Sequence, residues 1–312
     1  MEVAILLSLA ASFCTATSSV CQRLGARNLD AREPGVTGFD PLLVFRLARR
    51  PVWLLGFACM LLGFAFQISA LHFGPLALVQ PILAVELLFV FGYLGALTRC
   101  RGVRWREWAA ALAMFAGLAV FLHAASPSGG RPHAPGTLWW LAGLTTLVCV
   151  LLAVVAAGFG KHVTPSHRAA FLGIATGIGW GFTAGVIKEM SSHLDGGPAA
   201  VFTNWSVYVL IAAGAGTMLL ASHAMTAGPL AASQPGFTLL DPIVAILLGV
   251  FLFGERLRTT PADLAAEVLG LLVLAVGVSA LSRSGLITSQ GAALPAKTLN
   301  DRSHKELSRK TR

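Results

Sequence analysis

Charge is what this chain is short of. Asp, Glu, Lys and Arg make up 12% of its 312 residues, against 55% apolar residues. A soluble domain carries about 25% charged residues to cover its surface, so a water-soluble globular fold is excluded. Cysteine is scarce too: Cys14, Cys21, Cys59, Cys100 and Cys149, none in a Cys-x-x-Cys pair and four in or at the ends of apolar runs. That pattern argues against a disulfide framework and against a thiolate zinc site. There is no His-Glu-x-x-His and no Gly-x-Ser-x-Gly, and no serine or cysteine stands paired with a histidine, so no enzyme is legible. Gly177-Ile178-Gly179 lies inside an apolar run with no strand before it, which excludes a nucleotide-binding loop. The histidines fall mostly in loops or at run ends without ligand spacing. No metal centre and no cofactor are expected.

What the chain has instead is apolar runs long enough to cross ~30 Å of hydrocarbon. Nine are read, at about 3–23, 51–72, 75–97, 106–124, 137–158, 168–188, 203–222, 229–253 and 262–282. The expected fold class is an all-α polytopic membrane protein with nine transmembrane helices. The first run follows Met1-Glu2, without a basic n-region or a cleavage site, and is read as a span rather than a signal peptide. Trp53, Trp105, Trp108, Trp139, Trp140 and Trp205 stand at span ends, where indole rings anchor at the membrane interface, while Trp180 lies within the sixth span.

The net charge of +9 is a topology signal, not a nucleic-acid signal. Of the 23 Lys and Arg, only Arg131, Lys188, Arg256 and Arg258 fall on one side; the rest share the other side with the tail. The heavy side is cytoplasmic, which puts the N-terminus outside and the C-terminus inside, in a multi-pass plasma-membrane protein. Residues 284–312 hold no apolar run and are expected to be a disordered basic tail able to meet anionic lipid.

The chain also repeats itself. Gly74-Pro75-Leu76-Ala77-Leu78-Val79-Gln80-Pro81 returns as Gly228-Pro229-Leu230-Ala231-Ala232-Ser233-Gln234-Pro235, differing only at the fifth and sixth positions. Span 3 thus matches span 8, span 4 matches span 9 at the same offset, and Ala16 to Arg23 of span 1 resembles Gly181 to Lys188 of span 6. Matching spans are five apart, and an odd number flips direction. The expected architecture is an inverted-topology repeat, with residues 1–124 as the first half, 125–167 as the linker around span 5, and 168–283 as the second half. Such repeats place a shared site near the bilayer midplane.

Each repeated stretch is followed by an acid, Glu86 and Asp241. Glu86 lies roughly 16 Å along a helix from Pro75, near the membrane centre, and Asp241 reaches a similar depth from the opposite face. A carboxylate there costs about 2.5–3.5 kcal/mol on insertion scales, so it faces a cavity, pairs, or takes a proton. Two such acids are expected to bind substrate or coupling ion, with Gln80, Gln234, Thr238 and Gln67 as polar lining. Asn204 is a weaker candidate, and Glu267, about one turn into span 9, is expected to reach back to the interface rather than line the site. Pro81, Pro235 and Pro242 are expected to kink their helices. Pro242 in particular is expected to break span 8 beside Asp241 and free carbonyls for a cation. Gly173, Gly177, Gly181 and Gly185 fall on one face of span 6, and Ser8, Ser12 and Ala16 on one face of span 1, as close-packing surfaces.

Gly254-Glu255-Arg256-Leu257, after an apolar run and before a Gly- and Ala-rich span, resembles the end of a repeat in the drug/metabolite transporter (DMT) superfamily, EamA-like branch. The block from Trp53 to His123, with Pro75, Gln80 and Pro81, is similar to the NIPA-type magnesium transporters, as is the span count. The resemblance covers roughly residues 3–283; the first half departs from it, with Arg101-Gly102-Val103-Arg104 in place of Gly-Glu-Arg. It implies the fold and a secondary transporter moving a metabolite or cation by alternating access, with proton coupling left open. The alternative is a NIPA-like magnesium carrier in which Glu86 and Asp241 hold the ion through waters. An alternative of another class is a non-transporting scaffold subunit. Expected partners are a small-molecule or ion substrate and membrane lipid, with no nucleic acid; a homo-oligomer is compatible with the sequence.

Overall fold

The computed structural model describes residues 1–30, 51–97, 104–158, 164–228 and 230–282. Pro229, the turn around Arg101-Gly102-Val103 and the basic tail lie outside them, as do the side chains of Gln234 and Pro235.

The helices are α1 (Glu2–Asp30), α2 (Pro51–Phe73), α3 (Leu76–Leu83), α4 (Glu86–Leu97), α5 (Trp105–Ala125), α6 (Gly136–Gly158), α7 (Pro165–Ser191), α8 (Gly197–Thr203), α9 (Trp205–Ala227), α10 (Leu230–Phe251) and α11 (Pro261–Ser282). Among the described residues, eight segments are long and apolar enough to cross a membrane, one of them running through α3 and α4. The chain is an all-α polytopic membrane protein. Nine spans were expected. The remaining run, 229–253, forms α10 (Leu230–Phe251), in which the described side chains give the shorter apolar stretch Gly236–Phe251.

Local chemistry sets several boundaries. The Thr164 hydroxyl accepts the His167 N–H, with Pro165 in the first turn of α7. Asn204 Oδ1 accepts the Ser206 N–H and caps α9. Ser126, at φ +37°, ends α5 in the left-handed conformation.

The core is organised on α7. Two-thirds (67%) of its apolar window is buried, against 11% for α6, which lies at the periphery with Trp140, Leu141 and Leu144 turned outward. The reason is the glycine face of α7. A methyl group at Gly173 would come within 2.4 Å of Ser233 O, at Gly177 within 2.2 Å of Gly236 O, and at Gly181 within 2.6 Å of Val244 Cβ. α10 therefore lies backbone to backbone against α7. A second seam of this kind joins α5 to α11, where methyls at Gly117, Gly270 and Gly277 would all strike main-chain atoms of the partner helix.

α1 packs on α2, α3 and α4; α7 packs on α6, α9 and α10; α5 packs on α11; and α3 packs on α10. At one end of the bundle, a two-residue antiparallel bridge pairs β1 (Ser128–Gly129) with β2 (Glu255–Arg256). The Arg131 N–H donates to Phe253 O at 2.7 Å and the Arg258 N–H to Ala125 O at 3.1 Å, so the loop after α5 is stitched to the loop after α10.

Candidate functional site

Pro81 lies inside α3, which ends at Leu83. Without an N–H at position 81 the Ala77 carbonyl has no helical donor. The chain tightens, with the Val85 N–H bonding to Ile82 O, and α4 restarts at Glu86. Ser12 of α1 sits at the break: its Oγ lies 3.3 Å from Ile82 O and 3.5 Å from Leu83 O, while bonding Ser8 O within its own helix. Ser8 and Ser12 are both fully buried, so the small polar face of α1 is the surface that receives the broken span.

The break puts Glu86 in the first turn of α4, where a carboxylate meets the positive end of the helix dipole. Glu86 Oε1 accepts from Ser19 Oγ of α1 at 3.2 Å. About two turns further along α4, the Tyr93 hydroxyl bonds the Thr17 hydroxyl of α1 at 2.6 Å. Gln80 is 4% exposed, and its Nε2 is buried with no hydrogen-bond partner.

The second copy behaves differently. α10 is continuous from Leu230 to Phe251, so the expected break of span 8 beside Asp241 does not occur. Pro242 is buried within an unbroken helix. The glycine face of α7 holds α10 along its length, with Gly181 against Asp241 O. The broken span is the third, beside Glu86. Asp241 Oδ1 is buried without a partner. Thr238 and Gln67 are half-buried, Thr238 in α10 and Gln67 in α2. Glu267, expected to reach back to the interface, is instead 8% exposed, with Oε1 unpartnered.

A group that sequence reasoning did not pick out as a site ties α3 to the end of α7 and to the loop after α10. Glu255 is 3% exposed and caps α3: Oε1 accepts the Leu76 N–H at 2.5 Å and Oε2 the Ala77 N–H at 2.9 Å. Lys188, at the end of α7, lies 3.9 Å from Glu255 and donates to Gly74 O at 2.7 Å and Leu71 O at 3.2 Å. Its ammonium also sits 5.7 Å from the Phe253 ring centre. Burial pushes the Glu255 carboxyl up from its ordinary range, and the Ala77 N–H, the Lys188 ammonium and the Leu76 N–H pull against it. The signal was present in the Gly-Glu-Arg triplet and in the cation closing span 6, but nothing local says that the two meet at Gly74.

A groove of about 360 Å³ also opens between α6, α7 and α9, lined by Val154, Arg168, Leu172, Leu220 and His223 among others. Neither Glu86 nor Asp241 lines it.

No family model matches the chain, and no solved structure matches it. An uncharacterized protein of Corynebacterium glutamicum is 30% identical over 292 residues, spanning 90% of this chain and 95% of the relative. The alignment runs nearly end to end in both proteins, and the chain belongs to the same family as this corynebacterial protein.

Proposed function

We propose that this protein is a secondary transporter of the DMT type, moving a small metabolite or cation across the plasma membrane by alternating access. In this reading α10 is the eighth of nine spans, the N-terminus is outside, and the chain is an inverted repeat around α6. The observation that carries it is a pair of orphaned polar atoms, Gln80 Nε2 and Asp241 Oδ1. They sit on the two repeated segments, α3 and α10, which pack against each other. An unsatisfied buried polar atom costs about 1–3 kcal/mol, which a ligand would offset.

The packing supports the repeat. A methyl at Gly74 would meet the Ala4 Cβ, and one at Gly228 would meet Pro165 O first and then the Ala169 Cβ, each near the start of the first helix of its own half. Ala4 and Ala169 are themselves equivalent in the alignment of span 1 with span 6. Glu86 and Asp241 are the coupling sites, and Gln80, with Gln234, lines the path.

The test is solute uptake into proteoliposomes carrying an internal pH dye, over a panel of metabolites, organic cations and magnesium. A substrate-triggered pH change, absent in Glu86→Gln and in Asp241→Asn, is the expected result. Magnesium flux with no pH change would replace it with the NIPA-like carrier. Normal coupled flux in both variants would reject the mechanism.

A further inference from the structure

We propose that the end of the bundle carrying β1 and β2 holds a binding site for a late first-row divalent cation, of which zinc is the type, made by His133, Glu189 and His193. The three residues come from two places: His133 from the loop between α5 and α6, Glu189 from the last turn of α7 and His193 from the turn after it. One ligand atom from each lies within 4.8 Å of the others. His133 Nδ1 and Glu189 Oε1 are 3.3 Å apart. Two ligands on one tetrahedral zinc, bonded at about 2.0–2.1 Å, are separated by about 3.3 Å. The imidazoles of His133 and His193 lie with their centres 4.6 Å apart, inclined at 48°.

The surroundings are those of an oriented ligand set rather than of a chance surface cluster. Glu189 is 4% exposed. Its Oε2 is fixed by the Ala134 N–H at 3.1 Å and by Trp139 Nε1–H at 3.2 Å, which leaves Oε1 facing His133. The Trp139 ring is itself buried among Phe182, Trp205 and Phe253. Ser192 Oγ donates to Glu189 O and so accepts from His133 Nδ1 at 2.9 Å. A buried carboxylate oriented in this way through its second oxygen is the kind of ligand that binds metal well.

Two imidazoles and a carboxylate select zinc and its neighbours over magnesium, which takes oxygen ligands. The fourth position is left to water. Binding displaces the proton that His133 shares with Ser192 and Glu189. This site is independent of the transport reading: it would stand if no solute were moved.

The experiment is zinc titration of the purified full-length chain in detergent micelles against a colorimetric chelator, with thermal unfolding in parallel. The expected result is one zinc per chain with micromolar affinity or better, not displaced by millimolar magnesium, and a higher unfolding temperature with zinc. His133→Ala, on an exposed loop, should weaken binding by at least about tenfold and remove the thermal shift; Glu189→Gln should do the same. His223→Ala, on α9 away from the cluster, should leave both unchanged. Absence of zinc binding at 100-fold molar excess, equal competition by magnesium, or unaltered zinc affinity in His133→Ala would each overturn the proposal.

Discussion

The cap on α3 makes the sharpest stability prediction. α3 has eight residues, too few to hold itself, and its first two N–H groups are satisfied by Glu255. Two hydrogen bonds to a charged acceptor are each worth about 1.5–3 kcal/mol. The Lys188–Glu255 separation of 3.9 Å corresponds to about 4 kcal/mol of attraction at an effective dielectric of 20, much of it cancelled by desolvation. Glu255→Ala removes both acceptors and leaves a buried ammonium with only the Leu71 and Gly74 carbonyls. The expected loss is about 4 kcal/mol, within the range for breaking a buried pair. Glu255→Gln keeps the shape and one acceptor, and should lose about half of that. Adding Lys188→Met to Glu255→Ala should cost less than Lys188→Met alone, with a coupling of about 1–3 kcal/mol. The assay is unfolding of the full-length protein in mixed micelles by a denaturing detergent, followed by tryptophan fluorescence. A Glu255→Ala variant within about 0.5 kcal/mol of the parent, or additive single and double variants, would refute the reasoning.

Other outcomes follow from the same geometry. Gly177→Leu should prevent correct folding or assembly, because even a methyl there meets Gly236 O at 2.2 Å; its yield of monodisperse protein after detergent extraction should fall sharply, while Gly143→Leu, with nothing near its Cβ, should behave as the parent. Gln80→Leu removes a buried amide whose Nε2 has no partner and should unfold no earlier than the parent, by up to about 1 kcal/mol in its favour, yet lose solute uptake. Loss of stability with normal uptake would show that Gln80 is structural. Ser12→Ala should weaken the support of the break at Ala84–Val85 by about 1 kcal/mol, read as a lower detergent-unfolding midpoint.

The sequence by itself determined the class and most of the helix positions, because crossing hydrocarbon demands about 20 apolar residues whatever their neighbours are. The repeat, the two acids and the glycine face of α7 were equally legible, since identity at a fixed offset and four-residue spacing need no three-dimensional information. Which proline opens its helix was not legible. Pro81 and Pro242 each remove one N–H, but a break persists only where another helix serves the freed backbone. Ser12 of α1 does so beside Glu86, whereas the glycines of α7 hold α10 unbroken past Asp241. The same holds for Glu255, which caps a helix 178 residues earlier in the chain, and for His133 and Glu189, which are 56 residues apart. Hydrophobic length is a property of one segment. A cap, a latch or a ligand set is a property of two segments meeting, and only tertiary packing decides which segments meet.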